Sequence, residues 1–306
     1  MTAVNVPTPA VEEQPVKAKP ETAASVAKRG LSSPWASLAA IILAIIWTIP
    51  TFGLFISSFR TPLEVRQSGW WTWFTDPTVT FENYREVLFD EGTAFSTYFV
   101  NSIVITIPSV VIPVTLATMA AYAFAWTRFK FRDTLFVAVF ALQIVPLQIA
   151  LLPLLKIFVD FDLNGTFWPI WIGHSIFALP LAIFLLHNFM RDIPGELVEA
   201  ARVDGAGHVR IFLQIMLPLL VPVIVAFAIF QFLWVWNDLL VALTLSGGTL
   251  DVAPLTVRLA ELSGTRGTAW HLLSAGEFVS MAIPLVVFLF GQRYFVRGLL
   301  AGSVKG

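Results

Sequence analysis

Charged residues divide the chain into long uncharged or nearly uncharged stretches, and these predict membrane-spanning helices. A helix needs about 20 mostly apolar residues to cross the hydrocarbon core of a bilayer. Six stretches fit this requirement if one acidic residue, Glu277, is accepted inside the last of them. They are residues 35–59, 94–127, 134–155, 163–190, 211–237 and 271–292. We therefore predict an all-α integral membrane protein with six transmembrane helices, the fifth beginning near Pro218 and continuing past Asp238.

The first 33 residues contain four prolines among Ala, Glu, Lys and Val, without helical periodicity. Such a composition is typical of disorder, so residues 1–33 are predicted to be a disordered cytoplasmic tail. A signal peptide is the alternative. Against it, the apolar run that follows is too long for a signal-peptide core, and no A-x-A cleavage site closes it. Residues 34–306 are then the transmembrane domain.

Two segments on the outer side are long enough to have structure of their own. Residues 60–93 include three tryptophans, Trp70, Trp71 and Trp73, which predict an aromatic anchor at the membrane interface. The apolar spacing over residues 81–89 predicts a short helix lying on the surface. Residues 246–270 are rich in Gly and Thr and predict a loop.

The composition agrees with a membrane protein: 57% of the 306 residues are apolar, only 13% are charged, and the mean hydropathy is +0.78. A soluble domain has about 25% charged residues. The chain contains no cysteine, which excludes disulfides, cysteine–metal sites and thiol chemistry. The candidate function classes are therefore those of membrane proteins.

The basic residues test the number of helices, because cytoplasmic loops carry an excess of Lys and Arg. With six helices and both termini cytoplasmic, 13 of the 19 basic residues lie inside and 6 lie outside. Five helices would place Arg293 and Arg297 outside and break this pattern. The inner set is Lys17, Lys19, Lys28, Arg29, Arg128, Lys130, Arg132, Arg191, Arg202, Arg210, Arg293, Arg297 and Lys305, and the outer set is Arg60, Arg66, Arg85, Lys156, Arg258 and Arg266.

Residues 191–217, called the coupling loop below, lie between the fourth and fifth predicted helices. Pro194 and Gly195 end the spanning helix and permit a sharp change of direction. Glu196 and Glu199 then fall in the first turns of a new helix, where the helix dipole favours negative charge. The pattern therefore predicts a separate short helix at the cytoplasmic face.

This short helix carries a narrow apolar stripe of Leu197, Ala200 and Ala201, and Asp204-Gly205 is expected to end it in a tight turn. A second amphipathic helix follows, with a stripe of Val209, Phe212, Leu213 and Met216. Small residues on the first helix would allow close approach of a partner. A helix resting on lipid headgroups fits the periodicity equally well.

The spacing of identities in this loop is E-A-A-x3-G-x9-I-x-L-P, and it resembles the signature of permease subunits of binding-protein-dependent ABC importers. The matching positions are Glu199, Ala200, Ala201, Gly205, Ile215, Leu217 and Pro218. Three further segments look like the carbohydrate-uptake branch of that family: Asn101-Ser102, the alanine- and aromatic-rich residues 120–125, and residues 292–306. Within that branch the chain is similar to the smaller permease subunit of the maltose type. Residues 254–258 and 267–271 look most like permeases for α-glucosides.

The resemblance implies a set of partners and roles. A dimer of separate ATPase subunits would bind ATP and Mg²⁺ and receive the coupling loop, a homologous larger permease would complete the pore, and an extracytoplasmic binding protein would deliver the sugar. This chain itself would have no catalytic residue, metal or cofactor, and no nucleic-acid partner. It also lacks the G-x-x-x-x-G-K-[ST] phosphate loop. The residues expected to couple to the ATPase are Glu196, Glu199, Ala200, Ala201, Asp204, Gly205, Ala206, Ile215, Leu217 and Pro218.

Polar residues inside predicted helices are candidates for a translocation path, because such groups usually face a cavity or the bundle. The candidates are Gln143, Gln148, Gln231, Asn237 and Glu277. For Gln143 and Gln148 a bridge between helices is favoured, and Glu277 fits the path or a partner helix equally well. Asp238 is expected in water at the outer interface, and His187 is expected to be solvated. Kinks accommodated by neighbouring helices are favoured for most of the prolines inside spans, with bending elements for alternating access as the alternative.

The leading hypothesis is a subunit of a sugar importer in the bacterial inner membrane that works by ATP-driven alternating access. An α-glucoside such as maltose or trehalose is the expected substrate. An ABC permease for a non-sugar solute is the alternative within transport. An ion-coupled secondary carrier is an alternative of another class, but no coupling carboxylate stands clearly near the midplane.

Overall fold

The computed structural model describes residues 34–90, 95–246 and 249–301, and side chains up to residue 292. The predicted disordered tail and the last five residues lie outside the described part. The chain divides into two compact units, residues 1–52 and 53–306. In the described part of the first unit, one apolar helix runs through residues 34–52, with most of its side chains exposed. The second unit contains all the other helices.

Thirteen α-helices occur in the described ranges. They are α1 Pro34–Ser58, α2 Pro62–Gln67, α3 Glu82–Phe89, α4 Phe95–Trp126, α5 Arg132–Ala141, α6 Leu147–Asp160, α7 Trp168–Arg191, α8 Gly195–Val203, α9 His208–Ile211, α10 Leu217–Trp236, α11 Leu240–Leu245, α12 Leu255–Ser263 and α13 Trp270–Ala301. Within these ranges, five segments are long and apolar enough to cross a membrane: α1, α4, α7, α9 continuing into α10, and α13 up to Gln292. The predicted all-α membrane class is confirmed.

The third predicted span is present, but as two helices rather than one. The segment Arg132–Ile144 and helix α6 meet at an angle of 102° and together are apolar enough for one crossing. Val145 adopts an extended conformation with ψ of 119°, and Pro146 follows it. Proline disfavours a helical conformation in the preceding residue and offers no N–H to a helix. Kinks were favoured for most prolines inside spans, but at Pro146 a sharp break is found instead.

Contacts at the two ends of α4 and α7 show that these helices run parallel. Near their starts, the indole Nε1 of Trp171 donates a hydrogen bond to the carbonyl of Val104 over 3.0 Å. Near their ends, the ring of Phe136 lies 5.5 Å from that of Phe124 and 4.2 Å from that of His187. The chain between them must therefore return from one end of the bundle to the other. The bent pair α5–α6 makes this return, and taken as one span it brings the candidate spans to six.

The end of the second unit that was predicted to lie outside is more ordered than the sequence indicated. The predicted loop 246–270 contains helix α12, and α10 ends at Trp236 instead of continuing past Asp238. The Nδ2 group of Asn101 donates to the carbonyls of Leu250 and Ala253, with both N···O distances at 3.0 Å. The hydroxyl of Ser102 accepts a hydrogen bond from the backbone N–H of Leu255 at a distance of 2.7 Å. The Asn101-Ser102 pair thus clamps the loop onto the start of α4.

Residues 59–90 form a small cap held by buried polar groups. Arg60 is only 3% exposed, and its guanidinium donates to Ser68, to Thr72 and to the carbonyl of Glu64. Asn83 donates to the backbone carbonyls of Ser58 and Arg60, each over 2.8 Å. The predicted short helix over 81–89 is confirmed as α3. The tryptophan cluster forms a short 3₁₀ helix, and its role as an interfacial anchor stays a prediction.

Candidate functional site: the coupling loop and a cavity in the bundle

The coupling loop begins where the sequence predicts a change of direction. Helix α7 ends at Arg191, Pro194 is extended with ψ of 130°, and α8 begins at Gly195. Glu196 lies in the first turn of α8, as expected. Neither Glu196 nor Glu199 forms an ion pair or side-chain hydrogen bond with another residue in the described part of the chain. Both carboxylates are exposed.

The turn after α8 is closed by a specific pair of backbone hydrogen bonds. Gly205 has φ of +78°, its N–H donates to the carbonyl of Arg202, and the N–H of Ala206 donates to that of Ala201. This is the arrangement of a Schellman motif, which satisfies the free carbonyls at a helix end. A left-handed residue is needed there, and Gly adopts that conformation without penalty. The predicted break at Asp204-Gly205 is confirmed.

Only one residue anchors α8 deeply in the bundle. Val198 is 2% exposed and belongs to a buried cluster that also includes Met190 and Ile211. The predicted stripe faces mainly outward instead: Leu197 is 46% exposed and Ala200 is exposed, whereas Ala201 is half-buried. The exposed side of α8 therefore presents Leu197 and Ala200 together with the carboxylates of Glu196 and Glu199.

The second arm of the loop differs from its prediction, because a π-helical turn lies at residues 212–216 between α9 and α10. Its wider turn changes the phase that a period of 3.6 residues assumes. The buried residues are Ile211 and Met216, five positions apart. Val209 and Leu213, predicted on the same apolar stripe as Met216, are 72% and 52% exposed. Of the coupling residues in this arm, Ile215 and Leu217 are half-buried, whereas Pro218 is exposed.

Tyr122, near the end of α4, ties the loop to the bundle. Its hydroxyl lies 3.0 Å from Nδ1 of His208 and 3.3 Å from the backbone carbonyl of the same residue. Its ring also lies 5.2 Å from that of Phe212. The sequence reasoning did not assign Tyr122 a role, although the segment that contains it contributed to the family resemblance. A buried tyrosine at the end of a span, which needs a hydrogen-bond partner, was the available signal.

A cavity of about 830 Å³ opens at the break between α5 and α6. It is lined mainly by apolar side chains of α6, α7 and α10, with Trp234 among the aromatic ones. Two candidate path residues, Gln143 and Gln231, contribute to its wall. Gln231 is buried and donates to the carbonyl of Ser109 over 3.2 Å, while Gln143 is exposed. The favoured bridge between helices for Gln143 is absent among the described residues.

The structure does not bring the other three path candidates to this cavity. Gln148 is exposed on α6, and Asn237 is exposed with its Nδ2 group donating to the carbonyl of Leu233. Glu277 is half-buried on α13, and no hydrogen bond or ion pair joins its side chain to another residue of the described ranges. Their roles in translocation stay predictions.

Two polar residues expected in water are buried. The side chain of Asp238 is 9% exposed; it caps α11 by accepting from the N–H groups of Val241 and Ala242, and it lies 3.6 Å from Nε2 of the buried His174. His187 is 8% exposed, and its imidazole packs against Phe136. Both expectations were wrong because depth along one helix says nothing about which neighbours cover a side chain. In the described residues, no three His, Asp or Glu side chains are grouped to hold a metal ion.

Comparison with known proteins identifies the family. Residues 95–300 match the model described as "Binding-protein-dependent transport system inner membrane component". The chain is 50% identical over 272 residues to the osmoprotective compounds uptake permease protein GgtD of Synechocystis sp., which covers 88% of this chain and 91% of that protein. It is 48% identical over 260 residues to the alpha-glucoside transport system permease protein AglG of Rhizobium meliloti. That match covers 81% of this chain and 68% of AglG.

A solved structure shares the fold. It is a crystal structure of a bacterial ABC transporter involved in the import of the acidic polysaccharide alginate, with a TM-score of 0.73 and 22% identity over 90% of this chain and 100% of that chain. The coupling loop lies inside the segment that the family model matches. The chain therefore belongs to the inner-membrane permease components of binding-protein-dependent ABC importers.

Proposed function

We propose that this chain is one of two permease subunits of an importer for α-glucosides, and that it works by ATP-driven alternating access. The observation that carries the coupling role is the geometry of α8. Its inner side is anchored by Val198, while its exposed side presents Leu197, Ala200 and two free carboxylates. A helix that is anchored on one side and exposed on the other can receive a partner and pass its movement to the bundle.

The transmission of force follows from how the loop is anchored. Met190 and Val198 share one buried cluster with residues of α4 and α10, and Tyr122 bonds to His208 at the start of the second arm. Close-packed interiors transmit displacement because they leave little free volume. Motion imposed on α8 would therefore reach α4, α7 and α10 together. The resulting change would be a shift between inward-facing and outward-facing populations.

The partners follow from the family. A separate ATPase dimer with bound ATP and Mg²⁺ would dock on the coupling loop, a larger homologous permease would complete the pore, and an extracytoplasmic binding protein would deliver the substrate. In this arrangement both termini face the cytoplasm, and ATP hydrolysis takes place outside this chain.

The substrate class rests on the relatives. One relative at 48% identity is named for alpha-glucosides, and another at 50% is named for osmoprotective compounds. We favour α-glucosides because the Pro254–Arg258 and Gly267–His271 segments resemble permeases for these sugars. An osmoprotective solute is the second candidate, supported by the relative with the higher identity.

Uptake by the complex reconstituted in vesicles tests the proposal. Labelled maltose and trehalose represent α-glucosides, and labelled glycine betaine represents a non-sugar osmoprotectant. We expect ATP-dependent uptake of at least one of the two sugars and none of glycine betaine. Glu199→Lys and Gly205→Leu should abolish uptake while the chain still inserts in the membrane.

Glu82→Lys provides a matched control, because Glu82 is an exposed acid in the first turn of α3 at the other end of the bundle. This variant should transport at the wild-type rate. Wild-type uptake by the Glu199→Lys and Gly205→Leu variants would remove the coupling role from α8. Uptake of glycine betaine alone would replace the substrate class and leave the coupling role intact.

A further inference from the structure

The short loop between α4 and α5 alternates basic and aromatic residues in a position that fixes its depth in the membrane. Its sequence from Thr127 is Thr-Arg-Phe-Lys-Phe-Arg. Residues 94–127 before it and 134–155 after it contain no charged residue. Because apolar helices lead directly into and out of the loop, it cannot project far from the bilayer and lies at headgroup level.

The cations of this loop are largely uncompensated. Arg128 is exposed, and no hydrogen bond or ion pair connects it to another residue of the described ranges. The ammonium of Lys130 lies 4.9 Å from the ring centroid of Phe131. Arg132 donates to Asp133 over 2.8 Å, and that acid is 86% exposed. Three cations therefore face one carboxylate, so the loop carries a net positive charge.

The phenylalanines of the loop are exposed in a way that suits a lipid surface. Phe129 is 42% exposed and Phe131 is 67% exposed. Phe131 has φ of +65°, which is uncommon for an aromatic residue and costs conformational energy. Exposed aromatic side chains are favourable where headgroups meet acyl chains. The ring of Phe129 also lies 5.8 Å from that of Phe124, whereas most of the Phe131 ring would face water in a fully aqueous setting.

A concavity of about 370 Å³ lies between these side chains. Arg128, Arg132 and Thr134 contribute its polar donors, and Phe129 and Phe131 contribute its apolar edge. Asp133 also lines it, with its carboxylate paired to Arg132. Its volume falls in the range of small-ligand sites. Arginine binds phosphate oxygens with two parallel N–H groups, which suits a phosphodiester.

We propose that the loop 127–132 binds the headgroup of an anionic phospholipid. The phosphodiester lies between Arg128 and Arg132, Lys130 adds attraction to the anionic leaflet, and Phe129 and Phe131 enter the boundary below the headgroups. An acidic surface of a partner protein is the competing occupant. The lipid fits better, because the loop has no spacer that lifts it off the bilayer and because two phenylalanines accompany the cations.

Lipid selectivity of the intact transporter complex tests the proposal. The complex is reconstituted in phosphatidylcholine vesicles containing spin-labelled phosphatidylglycerol or spin-labelled phosphatidylcholine, and the motionally restricted fraction is measured. Wild type should prefer phosphatidylglycerol. One basic residue near a membrane surface contributes about 1 kcal/mol, which corresponds to about fivefold in association. Arg128→Gln should lower the preference by about fivefold, and Arg128→Gln/Lys130→Gln/Arg132→Gln should remove it.

A matched triple variant removes the same charge at the opposite end of the bundle: Arg85→Gln/Lys156→Gln/Arg266→Gln. All three residues are exposed there, and this variant should retain the wild-type preference. If the triple loop variant does not insert, the single Arg128→Gln variant decides, since Arg128 holds no contact that folding needs. Unchanged preference in the loop variants overturns the proposal. So does loss of partner subunits on purification with unchanged lipid preference, which would assign the loop to a protein.

Discussion

Gly205 illustrates how one backbone angle fixes the shape of the coupling loop. Its φ of +78° lets the N–H groups of Gly205 and Ala206 reach back to the end of α8. A Cβ built on Gly205 would have no heavy atom within 4 Å. The requirement for glycine is therefore conformational rather than steric, since a side chain in the left-handed region approaches its own carbonyl.

Gly205→Ala should weaken this turn by about 1 kcal/mol. The amides that close it should then exchange hydrogen about fivefold faster, because their exchange reports local opening. Gly207→Ala is the matched control: Gly207 also has open space for a Cβ, but its φ of −76° suits any residue. Equal exchange rates in the two variants would contradict a role for the backbone angle.

At the scale of elements, the sequence predicted the spanning helices and the ends of α8, because regular patterns and helix-ending residues mark them. The uncharged stretches located the spanning helices, and Pro194-Gly195 with Asp204-Gly205 located both ends of α8. The break at Pro146 and the π-helical turn at residues 212–216 were missed. A proline is compatible with either a kink or a break, and the choice depends on the neighbouring helices. A π turn leaves no mark in a pattern that assumes 3.6 residues per turn.

The contacts at the junction after α10 could not be predicted from the sequence either. Asp238 looked like a charge at the interface, yet its carboxylate caps α11 and faces His174. The hydroxyl of Thr256 donates to the backbone carbonyl of Asp238 at a distance of 2.6 Å. Helix α11 packs closely on α7, because a Cβ at Gly173 would lie 2.6 Å from Leu245. Asp238 therefore stabilises the junction at which the start of α11 meets His174 of α7 and Thr256 of α12.

Asp238→Ala should lower the free energy of unfolding by about 1–2 kcal/mol, because it removes the cap of α11. Asp238→Asn should lower it less, since one amide oxygen still accepts a hydrogen bond. The midpoint of thermal unfolding of the solubilised chain measures the difference. The neighbouring Asn237→Ala is the control, as Asn237 is exposed and its side chain bonds only to the carbonyl of Leu233 in α10. An Asp238→Ala variant as stable as Asn237→Ala would rule out the capping role.

For the whole molecule, the parallel course of α4 and α7 decides the number of crossings. The basic residues favour six passes, but the break at Pro146 raises the alternative that α5 and α6 enter and leave on one side. Phe158 near the end of α6 packs in one cluster with Ile105 and Ile170 near the starts of α4 and α7. Phe136 near the start of α5 contacts Phe124 and His187 at the other end. The broken pair therefore crosses the full bundle.

This topology is testable because the chain contains no cysteine, so single cysteines can be placed on a clean background. The side chain of Asp133 is 86% exposed, and Phe161 and Val203 are 73% and 87% exposed; they mark the start of α5, the end of α6 and the end of α8. In spheroplasts, a membrane-impermeant maleimide should label the Phe161→Cys variant, whereas Asp133→Cys and Val203→Cys should react only after lysis. A re-entrant pair would instead protect Phe161→Cys together with Asp133→Cys and expose Val203→Cys. Since the proposed coupling role requires the loop to meet an ATPase inside the cell, that outcome would overturn both the six-pass topology and the coupling role of α8.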